Sequence, residues 1–413
     1  MVSVVARPPA PPATRRRRVA FVVAATISAA GIVTGLPPAM HMTDFRVYRR
    51  AARAVTQGVD VYAPNGSQFR FTYPPFASEF TLPLAPLSIV TGSMVITAVT
   101  LLAGLYVTRR SLVATERRPW VVGPVLTVAL MWTEPMRITA WLGQVNVILM
   151  ALIVADATGR FRRLPRGLLT GVAIGVKLTP GMFLITALAA RRWRAALAAG
   201  AVFAATVAIG AAVQPGAARA YWTDLLWDTN RVGQITWYGN QSLLGVCTRW
   251  LGTGAGTHLV WITAALIVLA VGVRTAVRVW AEGNVLLAIG LVGVVSTLLS
   301  PISWTHHWVW CIPVFGGLLV RAGDDQRRWL GAALWLTVFE VGPNTRLAHL
   351  VFGWTPARIV VGNDYVLAGL ALLVVLARCP GTRPGPGGPS RAGRSGGGRS
   401  AVRPNPRAEL TVS

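Results

Sequence analysis

Residues 167–194 read GLLTGVAIGVKLTPGMFLITALAARRWR, and the side on which this stretch leaves the membrane sets the orientation of everything after it. Basic clusters bracket it, RFRRLPR at 160–166 and RRWR at 191–194. About 24 mostly apolar residues lie between them, enough for one helix across a hydrocarbon core of ~30 Å. A single crossing would put RRWR outside, expose RAGDDQRR at 321–328 and the basic C-terminal tail, and hide the polar segment 214–257. That arrangement inverts the usual excess of Lys and Arg in cytoplasmic loops. Pro180 offers the alternative, because it lacks an N–H and its ring clashes with the preceding helical turn. The sequence therefore predicts a hairpin that enters and leaves on the cytoplasmic side, broken at Lys177–Gly181. Non-helical backbone at that depth must be surrounded by protein or water.

The composition fits a chain whose solvent is lipid. Of 413 residues 53% are hydrophobic and 13% charged, against about 25% charged in an ordinary soluble domain. The net charge of +26 raises the possibility of a nucleic-acid partner, but the basic residues fall in short clusters between apolar runs, without interleaved aromatics. That is a topology signal, and no nucleic acid is expected as a partner. Among the 40 Lys and Arg only Lys177 is a lysine. Cys247, Cys311 and Cys379 lie far apart and lack metal-ligand spacing, so no zinc site, disulfide framework or cofactor is expected. Arg15–Arg18 precede an apolar run without a small-residue cleavage site, which reads as a retained signal anchor.

With residues 1–18 as a basic cytoplasmic N-terminus, alternation gives spans near 19–38, 88–108, 120–134 and 144–158. After the hairpin come spans near 196–213, 257–274, 284–300, 308–321, 328–342 and 360–378. The predicted fold is thus all-α and polytopic, with about ten full spans and the broken hairpin, and with interfacial helices in the external loops. Residues 19–378 form the membrane domain. The tail 379–413, rich in Gly, Pro, Ser and Arg, is expected to be disordered and cytoplasmic.

On this topology the polar and aromatic residues gather on the external face. HMTDFRVYRRAARAVTQGVDVYAP at 41–64 has helical spacing, with Asp44, Tyr48, Ala51 or Ala52 and Val55 on one side and Arg46, Arg49 or Arg50 and Arg53 on another. Such a helix can lie at the interface, its arginines meeting lipid phosphates. Asp44 is either a reactive carboxylate or, with Thr43, a helix cap. FTYPPF at 71–76 and the aromatic segment 221–238 read either as belt anchors or as sugar-binding surface. In the latter reading Asp224, Asp228, Asn230, Arg231, Asn240 and Gln241 accompany the rings. His306 and His307 stand at the outer mouth of a span; adjacent helical residues diverge, so they are not expected to share a metal, and one is expected to be structural. Glu134 and Arg137 have the spacing of a local ion pair. Lys177, placed toward the cytoplasm, is expected to meet headgroups or helix-end carbonyls.

In this order, TDFRVY, FTYPPFA, EPMR followed by GQVNVILM, GVKLTP, YWTDLLWDTNRVG with NQS, and SPISWTHHWVW resemble the polyprenol-phosphate-mannose-dependent mannosyltransferases of glycosyltransferase family 87. These are integral membrane enzymes of the GT-C class known from mycobacteria and their relatives, and the likeness covers roughly residues 19–378. Within the family it falls nearest the α-(1→2) enzymes acting on phosphatidylinositol mannosides. The resemblance implies transfer of mannose from a polyprenyl phosphate to a glycolipid at the periplasmic face of the plasma membrane. It places the catalytic aspartate on Asp44. Because a β-linked donor becomes an α-mannoside, the reaction inverts and needs one base behind the acceptor hydroxyl. Donor phosphate and sugar contacts are then expected from His306, His307, Arg46, Tyr73, Asn240 and Gln241. Acceptor or supporting roles fall to Glu134, Arg137, Gln144, Asn146, Asp224, Arg231 and Lys177. The leaving phosphate can be stabilised by guanidinium or imidazolium, so no metal is required. The chain departs from the family pattern in its short first external loop and around WYGNQS, which leaves the acceptor open. A polyprenyl-phosphate-arabinose-dependent enzyme of the same architecture is the neighbouring alternative. A lipid or sugar transporter would add inverted repeats, which the sequence lacks, and a noncatalytic scaffold would leave the external polar cluster unexplained.

Overall fold

A computed structural model describes residues 12–34, 42–64, 69–115, 118, 120–161, 163–346 and 355–379. Apart from one antiparallel bridge between Asn240 and Trp304, the regular structure of the described residues is helical. In the first half run α1 (Pro12–Thr34), α2 (Thr43–Thr56), α3 (Phe76–Phe80), α4 (Ile89–Ser111), α5 (Val122–Trp132), α6 (Glu134–Leu142) and α7 (Asn146–Thr158). Then follow α8 (Leu168–Val176), α9 (Gly181–Ala189), α10 (Trp193–Val213), α11 (Pro215–Ala220), α12 (Leu243–Leu251), α13 (Ala255–Ala281) and α14 (Val285–Leu299). A tight turn of helix at Thr305–Trp310 leads into α15 (Cys311–Ala322), α16 (Gln326–Val341), α17 (Pro343–Arg346), α18 (Thr355–Val361) and α19 (Asp364–Arg378).

The packing turns apolar side chains outward. Leu197 on α10 is 71% exposed and Leu259 on α13 is 67% exposed, with Met94 and Leu102 on α4 equally open. Water would penalise such a surface and lipid does not. α14 is the opposite case: residues 287–298 are buried all round, as a helix apolar on every side must be. It packs between α13 and α15 and forms the axis of the core. Among the described helices, α4, α10 and α13 are each long and apolar enough to cross a membrane alone. Others that the sequence reads as spans, such as α5 with 11 residues and α15 with 12, fall short of the ~20 a straight crossing needs.

The hairpin expected at 167–194 is visible in how its helices pack. Cβ atoms built at Gly167, Gly171 and Gly175 of α8 would meet Ala195, Ala199 with Val202, and Thr206 of α10 in that order. Successive residues of α8 meet successive residues of α10, so the two helices run parallel. α9 between them must run back, and the chain regains by Trp193 the level it left at Gly167. The break at Lys177–Pro180 is the tip. Gly167 is required at the base, because its φ of 99° brings the backbone against that of Ala195. The start of α8 is held by Asp156 from α7, whose carboxylate accepts from Gly167 N at 2.9 Å, Thr170 N at 3.1 Å and the Thr170 hydroxyl at 2.6 Å. An anion there also complements the helix dipole.

One boundary differs from expectation. α1 starts at Pro12, so the Arg15–Arg18 cluster belongs to the first helix instead of preceding it. The close of the expected first span, residues 35–38, and the tail from residue 380 onward lie outside the described residues.

Candidate active site

α2 presents the Asp44 stretch as a helix with one buried face, formed by Phe45, Val47, Tyr48, Ala51 and Ala52. The residue before it, Met42, is left-handed (φ 53°) and donates its N–H to Trp141 O at 3.2 Å. No side chain caps the helix at that position, and Asp44 already lies in the first turn. The capping alternative therefore gives way, and the carboxylate is turned to other partners. The arginines of the opposite face are also redirected. Arg49 donates to Leu87 O at 2.6 Å, Arg50 to Phe69 O and Arg53 to Ala85 O, both at 3.1 Å. They tie α2 to neighbouring loops, where the sequence had suggested lipid phosphates. Arg46 lies on the exposed side.

The axes of α6 and α7 meet at 116°, and the corner is Gly143 at φ 67°. A Cβ there would press on Phe45 Cβ at 2.7 Å, so glycine lets α2 approach. The corner sets Gln144 beneath α2. Its Nε2 donates to the Tyr73 hydroxyl at 2.8 Å, its Oε1 accepts from the Tyr48 hydroxyl at 2.6 Å, and the two phenols are 2.9 Å apart. Gln144 also hydrogen-bonds the Asp44 carboxylate. From the hairpin tip, Lys177 Nζ donates to Asn146 Oδ1 at 2.8 Å and to His307 Nε2 at 3.1 Å, and stands 5.7 Å from the centre of the Tyr73 ring. Thus three other segments, those of Tyr73, Gln144 and Lys177, converge with α2 around Asp44.

Electrostatics divide the labour. Burial pushes the Asp44 carboxyl up to about 6, partly opposed by the Gln144 hydrogen bond and the charge of Lys177. The carboxylate is half-buried, neither locked away nor fully wet. His306 is pushed down to about 3 and His307 also falls, both through burial and then through the cation of Lys177. In the fold itself, burial and the charge of Lys177 disfavour the imidazolium that the sequence reading considers for the leaving phosphate. Neutral His307 accepts from the ammonium, and two of its three hydrogens are thereby used. His306 is structural in its backbone, whose carbonyl accepts from Thr139 at 3.1 Å and Asn146 at 3.0 Å.

Lys177 also corrects an expectation, since the hairpin carries it away from the clusters at 160–166 and 191–194 and into the polar centre. A small cavity of mixed polarity adjoins it, lined by Asn146, Lys177, Ser296, Thr297, Ser303 and His307 on its polar side and by Leu149, Val309 and Trp310 on its apolar side. The other sequence candidates are dispersed. Asn240 gives its amide to Ile235 O at 3.0 Å and takes Ser303 N–H at 2.9 Å. Gln241 donates to Tyr238 O at 2.7 Å and Gly362 O at 2.9 Å, so both side chains staple loops. Glu134 is buried and accepts from the Tyr365 hydroxyl at 2.8 Å, while Arg137 lies over Trp132 and Trp141. Asp224 is exposed and accepts from Thr223, and Arg231 donates to Phe71 O at 3.1 Å over the ring of Tyr62. Tyr48 was not singled out from sequence as a site residue, although its place on the Asp44 face of α2 was the available signal.

A half-buried carboxylate facing an ammonium, with an amide holding it in place, can accept a proton and steady an anion in the same cleft. Residues 71–301 match the family model described as glycosyltransferase family 87. The chain is 33% identical, over 83% of its length and 85% of the relative's, to a polyprenol-phosphate-mannose-dependent alpha-(1-2)-phosphatidylinositol mannoside mannosyltransferase of Mycolicibacterium smegmatis. It is 34% identical, over 89% of its length and 86% of the relative's, to a polyprenol-phosphate-mannose-dependent alpha-(1-2)-phosphatidylinositol pentamannoside mannosyltransferase of Mycobacterium tuberculosis. No solved structure matches the chain.

Proposed function

The chain belongs to glycosyltransferase family 87, and from that premise we propose that it is a membrane α-(1→2)-mannosyltransferase that moves mannose from a polyprenyl phosphate to a mannosylated phosphatidylinositol. The observation that carries the reading is the convergence of Asp44, Gln144 and Lys177 within the matched family. Asp44, oriented by Gln144, takes the proton of the acceptor hydroxyl as its oxygen attacks the anomeric carbon. The bond from that carbon to the phosphate oxygen breaks on the opposite face, and configuration inverts. Polyprenyl phosphate leaves with the electron pair, steadied by Lys177, with His307 and Asn146 fixing the ammonium. Tyr73, which lies beside both Gln144 and Lys177, is the ring against which the sugar packs. Such electrostatic stabilisation needs no resident metal.

The topology belongs to the same reading. About ten crossings and the hairpin bring the arginine clusters to the cytoplasmic face, and α2 lies in the external interface of the plasma membrane. Cysteines placed at 191–194 or at Asp324 should then resist an impermeant external reagent, while one at Asn230 should react.

Membranes containing the protein, given labelled polyprenyl-phosphate-mannose and a panel of phosphatidylinositol mannosides, should form a new α-(1→2) linkage. Transfer from the arabinose donor alone, or no transfer at all with protein correctly inserted, would overturn the proposal.

A further inference from the structure

The base of the hairpin holds a second site. At the opposite end of α8 and α9 from Lys177, a small cavity with an open mouth lies between the hairpin and α7, α10, α13 and α14. Its polar rim carries Arg166 and Arg192, close enough for each to feel the other's charge. Arg166 donates to Ala157 O at 2.8 Å, and Arg192 lies over the Trp280 ring at 4.0 Å. The nearby carboxylate, Asp156, is already occupied by Gly167 and Thr170. With two guanidinium groups against the single carboxylate of Asp156, whose charge Arg192 feels, the rim keeps a net positive charge.

The rest of the cavity is apolar, lined chiefly by alanines together with Phe183 and Ile289. At Val277 it meets a shallower, largely apolar groove on the outer surface between α9 and α13, lined by Ile185, Leu269, Ala270 and Val273 together with Arg274. Trp280 marks the cavity end of α13. Leu269 lies eleven residues before it, so the groove climbs ~16 Å toward the middle of the bundle at 1.5 Å per residue. A positive pocket at the level where helices end, continuous with an apolar furrow running inward, has the shape of a lipid: headgroup at the interface, chain along the core.

We propose that this is a binding site for an anionic glycerophospholipid, its phosphate between Arg166 and Arg192 and one acyl chain along the α9–α13 groove. The polyprenyl carrier is not the occupant, because its phosphate must reach Lys177 at the other end of the hairpin. Since α8 and α9 join the two ends, the lipid would hold the element that presents Lys177.

The test uses full-length protein purified in detergent and offered phosphatidylglycerol or phosphatidylcholine with the same chains, with retention read by native mass spectrometry. Phosphatidylglycerol should be retained at least tenfold better. Arg192→Gln should lower that retention about tenfold, the scale of one charge-assisted contact. Ala270→Trp, on an exposed part of α13, should lower it by blocking the groove without touching charge, and it decides the matter alone should the arginine variant fail to fold. Equal retention of both lipids, or unchanged retention in both variants, would overturn the site. Displacement of phosphatidylglycerol by inorganic phosphate would reduce it to a bare anion pocket and overturn the lipid assignment. Displacement by equimolar polyprenyl phosphate would overturn it in favour of the carrier.

Discussion

Asp44 and Glu134 are both carboxylates in the polar loops, and both stand in the first turn of a helix. Their surroundings make them opposites. Asp44 is half-buried, faces a lysine, and is held by an amide that is itself held by two phenols. Glu134 is 3% exposed and takes the hydroxyl of Tyr365, beside Asp364 and the backbone of Gly342. The first can meet a substrate and exchange a proton with it. The second fixes α6 to α19 and has no room to meet anything. The difference teaches that a carboxylate's type and helix position are poor guides to its chemistry, whereas access and the nearest cation are good ones.

The largest effect expected of this contrast is on turnover. Asp44→Asn keeps shape and hydrogen-bonding oxygen while removing basicity, so turnover should fall ~10²-fold or more at equal membrane expression. Near-normal transfer by this variant would erase the distinction and return Glu134 to consideration. Folding should not suffer. A carboxyl whose folded pKa is raised favours the fold in its protonated form, so its ionisation costs stability as pH rises from 3.8 to about 6. At neutral pH Asp44→Asn should therefore be neutral or slightly stabilising, read by thermal unfolding in detergent.

Lys177→Gln comes next. It removes the cation while keeping a polar group at the hairpin tip, and should slow transfer by roughly 10- to 100-fold, the worth of a lost charge-assisted contact. Wild-type kinetics in this variant would mean that the leaving phosphate is steadied elsewhere.

The pH profile sharpens the same comparison. A base with a pKa near 6 must be ionised to act, so kcat/KM should rise with pH through about 6 and level above it, losing about tenfold per unit on the acid side. Lys177 holds the Asp44 pKa down. Its replacement by Gln should accordingly move the acid limb to higher pH, and a limb that stays put would uncouple the two residues.

The smallest effect on rate belongs to Glu134. Glu134→Ala leaves the buried Tyr365 hydroxyl without its acceptor, costing about 1–3 kcal/mol of stability, while transfer per folded molecule stays close to wild type. Glu134→Gln, which keeps an acceptor, should recover much of the stability. A large loss of turnover in stably folded Glu134→Gln would break the comparison from its other side.

The sequence by itself determined the class of molecule and much of its organisation. Long apolar runs with arginine at their ends can only be satisfied in lipid, and the parity of those clusters, with Pro180, demanded that the chain turn back between residues 167 and 194. Ordered motifs determined the family and pointed to Asp44, because such residue types in such an order are chemical information carried along the chain. What the order could not carry is distance between segments. Whether Asp44 caps a helix or faces Gln144, whether Lys177 meets headgroups or His307, and which backbone groups Asn240 and Gln241 hold were decided by packing. The charge state of the histidines also awaited the fold, since burial and a neighbouring ammonium set it. The physical reason is the same in each case: hydrogen bonding and desolvation act over a few ångströms of space, and residues more than a hundred positions apart, such as Lys177 and His307, become neighbours only when the helices have packed.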